Sequence, residues 1–276
     1  MAQKKIVSAG PDTTPKQGPG KQGSAQEPTF VATPEAKKKA LTYRLIAAAL
    51  WVVAIAAEAV TIFWFIPYAE VDNFTVWLIS AIIIIAAFTW VGSTLWKTAN
   101  RYDPASEKNK VRFFVQNQLG AIITIVAFLP LILDIFMNKN MDKKQKTTAG
   151  IVGIVVALIV FFAAGIDYLP PSVEQIDDDT ATVLAYTGQD KVYWVAGGKV
   201  YHLCAEYPEG TTIPDLSRGD LETNPVIEGT VAQAVQAGKT RLSIKGFKEC
   251  GLTEGQPQFT SVPSSSASPE PSSTPS

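Results

Sequence analysis

Residues 45–66, LIAAALWVVAIAAEAVTIFWFI, decide the fold. A bilayer core of about 30 Å needs roughly 20 apolar residues of helix to cross it, and this stretch meets that length with a single charge, Glu58. Three more stretches behave alike. Residues 76–96 carry no charge; residues 113–136 begin with a polar turn (Gln116, Asn117, Gln118) and end near Asp134; residues 149–166 are short, uncharged and rich in Ile, Val and Phe. A soluble helix shows a polar face at a helical period, and none of these does. At that depth water cannot satisfy a backbone, so each is expected to be a transmembrane helix. Pro130 is expected to kink the third without stopping it from spanning.

Working outward, the 276 residues divide sharply although the mean does not show it: hydrophobic residues are 47% and the formal charge is −1. Residues 1–41 are rich in Lys, Gln, Gly and Pro and read as a disordered basic tail. They hold no apolar run of the secretory type, so the first span is expected to serve as an uncleaved signal anchor. Residues 42–169 form the four-helix transmembrane region, residues 170–255 a small acidic domain, and residues 256–276 a Ser/Pro-rich tail expected to be unfolded. The fold class is therefore a membrane all-α protein with a small C-terminal α+β domain and disordered termini.

The domain has its own signals. KVYWV (191–195) and KVYHL (199–203), separated by Ala196-Gly197-Gly198, read as a β-hairpin. Thr230 and Gln233 form a capping-box pair for a short helix that Gly238 stops, and residues 240–244 alternate as a further strand. From Asp167 to Glu254 there are 14 acids and 7 bases, which argues against nucleic acid as a partner.

Orientation follows from Lys and Arg near the span ends. Lys37, Lys38, Lys39 and Arg44 precede the first span, the first loop has Glu70 and Asp72, and the second loop carries Lys97, Arg101, Lys108, Lys110 and Arg112. These place the N-terminus in the cytoplasm of a plasma-membrane protein. Lys139, Lys143, Lys144 and Lys146 in the third loop, and the acids after the fourth span, argue the opposite for the second half. Either the third loop violates the rule or the third apolar segment is re-entrant. The span count outweighs four lysines, so a cytoplasmic C-terminal domain is favoured over an extracytoplasmic one.

Candidate chemistry is sparse. Glu58 lies deep in the first span, where an acid is expected to find a polar partner; Ser80, Thr89, Asn117 and Gln118 are the candidates. It reads either as helix–helix glue or as an ion or proton site of a transporter, while Asp134 is close enough to a helix end to reach the interface. Gly150, Gly153 and Gly165 put small residues on the fourth span, which permits close contact. Cys204 and Cys250 are the only cysteines. In an oxidising compartment they would form one disulfide; in the cytoplasm two thiols are the default, and a redox or envelope-stress sensor would use the pair. His202 adds a third potential zinc ligand, but the paired spacings of zinc sites are missing, and no metal or other cofactor is expected. No Walker loop, dinucleotide fingerprint or nucleophile elbow occurs, which disfavours an enzyme.

KVYWVAGGKVYHLC (191–204), GTVAQAVQAGKTRL (229–242) and ECG (249–251) resemble the small terminal domain of uncharacterised actinobacterial multi-pass membrane proteins. Those proteins similarly place it after several spans and a Lys-rich tail. Related domains often carry additional cysteines where this chain has Ser243 and Ile244. The resemblance implies no established activity. The lack of catalytic motifs beside a well-formed appended domain points to an accessory or scaffold component with a membrane-protein partner, and analogy with other small actinobacterial membrane proteins adds an accessory subunit of a respiratory supercomplex as an alternative. Transport through Glu58 and thiol sensing are further alternatives, and the oligomeric state is left open.

Overall fold

The computed structural model describes residues 6–9, 30–70, 72–206, 225–243, 245–253 and 255–259. Strand β1 (Ile6–Ser8) comes first, and four long apolar helices follow. Helix α1 (Pro34–Val60) starts where the Thr33 side chain accepts the Ala36 N–H at 3.1 Å and Pro34 presets the first turn. It runs on through a wider π turn (Thr61–Phe65) and one tighter turn (Ile66–Tyr68). Helix α2 spans Phe74–Tyr102, and α3 spans Lys110–Met137 as one continuous helix with Pro130 inside it, so the re-entrant alternative is not what forms. Helix α4 (Lys143–Ile159) opens with a capping box between Asp142 and Gln145 and ends in a π turn, Val160–Gly165.

All four helices outrun the apolar stretches that announced them. The basic tail expected over residues 1–41 is correspondingly shorter: Ile6–Ser8 is a strand and Pro34 already helical, while residues 10–29 lie outside the described residues. At the other end, the Phe259 N–H donates to the Ala185 carbonyl at 2.9 Å, so the first residues of the Ser/Pro-rich tail are seated; residues 260–276 lie outside the described residues.

The bundle is apolar inside and out. Leu78, Ile82, Ile85, Phe128, Leu131 and Ile135 fill its centre, yet only 28–39% of each apolar window is buried. Val52, Trp64, Ile83, Leu133 and Leu158 point outward, a surface that hydrocarbon accepts and water does not. Close approach is enforced by missing side chains. A Cβ on Gly92 would sit 2.5 Å from Trp51 Nε1, and one on Gly150 would sit 2.3 Å from Phe136 Cζ, so α1 meets α2 and α3 meets α4 at distances only glycine allows.

The domain begins with α5 (Val173–Thr187), capped by Ser172 and stopped by Gly188 at φ 73°. Then come β2 (Val192–Trp194), β3 (Val200–Tyr201), β4 (Val226–Gly229), α6 (Val231–Gln236), β5 (Arg241–Leu242) and the short α7 (Gly246–Glu249). The expected hairpin closes through one pair, in which Tyr193 and His202 exchange backbone hydrogen bonds of 2.9 and 2.8 Å. Its two arms then join different sheets: β2 lies antiparallel to β4, whereas β3 pairs in parallel with β5. The last expected strand is shorter than residues 240–244, and Ile244 lies outside the described residues. Strand β1 completes the first sheet, parallel to β4, with Ile6 opposite Val226 and Ser8 opposite Glu228. Trp194, Tyr201, Val183, Val231 and Phe247 make the core, with the Tyr186 and Phe247 rings edge to face at 4.6 Å.

Candidate functional site

Glu58 is 4% exposed in α1, and its carboxylate reaches across to α3. Oε1 accepts the backbone N–H of Leu131 at 3.2 Å. The neighbouring residue explains the choice. Pro130 has no N–H, and its ring pushes away the carbonyl one turn back, so this turn of α3 is open to outside partners. Inside a membrane such a turn needs a neighbouring polar group, and Glu58 provides it. None of the four partners expected from sequence takes that role. Thr89 bonds back to Ile85 O at 2.8 Å and Ser80 to Val76 O at 2.9 Å; Asn117 accepts from Asn100 and Gln118 donates to Asp167 O. Asp134 is half-buried, and its Oδ2 is enclosed without a hydrogen-bond partner among the described residues.

The polar start of α3 instead ties the bundle together at the end that carries the domain. Gln116 accepts at its backbone carbonyl from Trp96 Nε1 (2.7 Å) and from the Asn100 amide (2.9 Å), and its own side chain donates to Asp103 O (3.1 Å). Lys97 Nζ donates to Ile166 O at 2.6 Å and Gln118 to Asp167 O at 2.9 Å, which stitches α2 and α3 to the end of the fourth span. Burial raises the Asp167 carboxyl above its usual range, against the pull of Lys97 and Arg101. Glu174, at the start of α5, accepts from Ser106 Oγ (2.5 Å) and the Glu107 N–H (2.8 Å), which fixes the domain to the second loop.

The basic residues chosen for topology occupy this same end, and only some are free. Lys37 and Lys38 are exposed, while Lys39 lies 5.7 Å from the centre of the Tyr102 ring. Arg44 forms an ion pair with Asp103 at 2.8 Å, Arg101 packs beside Gly238 of the domain, and Arg112 is exposed.

In the domain Cys204 and Cys250 are disulfide-bonded, with Cα atoms 5.8 Å apart. With the two sulfurs joined to each other, they and His202 do not make a ligand set. His202 is 1% exposed, and its Nδ1 lies 3.5 Å from Glu249 Oε2, one residue before Cys250. Two further groups gave no sign in the sequence. Lys239 is 3% exposed and spends its ammonium on three carbonyls of the hairpin turn, Val195 (2.7 Å), Ala196 (3.0 Å) and Gly198 (2.6 Å); burial, with Arg101 nearby, lowers its pKa. The Tyr201 hydroxyl donates to Asp179, whose carboxyl burial holds above its usual range even against that hydrogen bond.

No known protein family, no curated protein and no solved structure matches this chain.

Proposed function

We propose that this chain is a non-enzymatic, multi-pass plasma-membrane protein, an accessory or scaffold component whose domain holds a protein partner at the membrane surface. The observation that carries the reading is the edge of β4. It accepts a short extended segment, and the segment seated there, Ile6–Ser8, comes from the far end of the chain with all three residues exposed. A sheet edge covered so lightly suits exchange for a partner strand, which main-chain hydrogen bonds would hold. Lack of catalytic motifs in the sequence and use of Glu58 on the α3 backbone favour this over transport. A cytoplasmic domain agrees with the bases gathered at its end of the bundle: Lys37, Lys38, Lys39, Arg44, Lys97, Arg101, Lys108, Lys110 and Arg112.

Isolation of the full chain in mild detergent, followed by mass spectrometry, tests the proposal. A stoichiometric membrane partner is expected, and Val7→Lys, which loosens β1, should increase its recovery. Co-isolated respiratory subunits would identify the assembly as the one the actinobacterial analogy suggests. A homogeneous protein without partner under both conditions would refute the scaffold role.

The Cys204–Cys250 bond favours one second reading, an extracytoplasmic redox or envelope-stress sensor, because such bonds persist in oxidising compartments. Thiol alkylation in intact cells, with and without reductant, separates the two. A bond that stays closed under redox stress marks a structural staple and supports the scaffold, and a bond that opens and closes with redox stress supports the sensor.

A further inference from the structure

Arg44 on α1, Trp96 on α2 and Arg112, Val115, Gln116 and Leu119 on α3 line an open groove of about 300 Å³ on the outside of the bundle. Its depth in the membrane follows from sequence: Arg44, Trp96 and Arg112 stand at the boundaries of three apolar stretches, where headgroups meet hydrocarbon. Arg112, Val115 or Gln116, and Leu119 follow helical spacing, so one stripe of α3 runs from charge at the headgroup level to hydrocarbon below it.

The polar wall is prearranged. Asp103 holds Arg44 by two contacts, Nη1 to Oδ2 at 2.8 Å and Nη2 to the backbone carbonyl at 3.0 Å. The guanidinium lies 5.8 Å from the Trp96 ring centre, and Trp96 is itself fixed by its 2.7 Å hydrogen bond to Gln116 O. Arg44 Nε, in contrast, is enclosed without a hydrogen-bond partner among the described residues. Across the groove the Arg112 side chain is exposed, while its backbone N–H donates to Asn109 Oδ1 at 3.1 Å. Two guanidinium charges set against one Asp103 carboxylate leave a single positive charge in a groove that opens toward lipid. That combination matches a monoanionic headgroup carrying an acyl chain; a purely soluble anion would leave Val115 and Leu119 without a role.

We propose that this groove is a binding site for one monoanionic glycerophospholipid, with Arg44 and Arg112 on the phosphodiester, Trp96 beside the glycerol region and Val115 and Leu119 along the first acyl segment. The site differs from a diffuse attraction of the basic tail to the bilayer, because it depends on residues from three helices held in register.

Native mass spectrometry of the full chain, incubated with equal amounts of phosphatidylglycerol and phosphatidylcholine, tests it. Wild type is expected to retain about tenfold more phosphatidylglycerol, the effect of one charge-assisted contact pair. Arg112→Gln should bring the two lipids to parity, whereas Lys110→Gln, two residues away and outside the groove, should keep the preference. Excess inorganic phosphate should leave the retained lipid in place. Equal retention by wild type overturns the proposal and needs no variant to do so. An unchanged preference in Arg112→Gln, or displacement of the lipid by phosphate alone, overturns it equally.

Discussion

The bundle and the domain are held together by opposite means. In the bundle, side chains such as Ile83 and Leu133 gain nothing by turning inward, since lipid is as apolar as the protein centre. Its helices associate instead through glycine contacts at Gly92 and Gly150 and through a few polar atoms spent on another helix's backbone, as Glu58 is on Leu131. The domain has water on its outside and the usual hydrophobic gain, but its core is small. It is supplemented by a covalent bond and by buried polar groups that fasten loops, such as Lys239 on the hairpin turn. The same residue type can therefore matter in one region and be neutral in the other.

The sharpest way to break this comparison is to remove the covalent link. Cys204 and Cys250 are 46 positions apart, and a loop of that length implies a loss of about 4 kcal/mol in the double Ser variant. Thermal unfolding followed at Trp194 should fall, while detergent stability of the bundle stays unchanged. A matching fall in both would mean that the two regions unfold as one unit.

A smaller effect belongs to the bundle. Glu58→Leu should cost about 2 kcal/mol, the cost of leaving a buried donor unpaired, and Glu58→Gln much less because the amide oxygen still accepts. In a Pro130→Ala background the helix restores its own hydrogen bonds, so the Leu substitution should become nearly neutral. Denaturant titration of the four variants in micelles measures the coupling; simple additivity would show that Glu58 does not serve that turn.

The mildest test uses pH. Burial holds Asp167, Asp177 and Asp179 above the usual carboxylate range, so the folded chain takes up their protons before the unfolded chain does. Stability from these groups is complete below their unfolded value of 3.8 and is lost as pH rises through the folded value. Glu174 acts in reverse: hydrogen bonds from Ser106 and Glu107 outweigh its burial and lower it, so its contribution is lost on acidification. With Asp177 and Asp179 against Glu174 in the domain, its melting temperature should rise slightly as pH is lowered from neutral toward 3.8, and Asp179→Asn should blunt the rise. A steady fall over that interval would contradict the assignment.

What the sequence made legible follows the same division. Local signals survived: the four apolar stretches, the Thr230–Gln233 capping box and the stop at Gly238. The Cys204–Cys250 bond was not legible, since a favoured cytoplasmic domain made two thiols the default. Helix ends were less legible, because segments such as Pro34–Arg44 are helical without being apolar and lipid length says nothing about them. Partners far apart in the chain were hidden. Nothing near Glu58 marks an opened turn in α3, and Lys239 reads as an ordinary exposed lysine until the hairpin turn closes over it. The parallel pairings of β1 with β4 and of β3 with β5 likewise join segments that no local pattern connects.

The pairing of Ile6–Ser8 with Val226–Gly229 also orders the birth of the molecule. Ile6–Ser8 must wait for more than two hundred later residues before its seat exists. It can close only if both ends of the chain have been delivered to one compartment. A chain that crosses the bilayer once too few would strand the two segments on opposite faces and leave β4 without this neighbour.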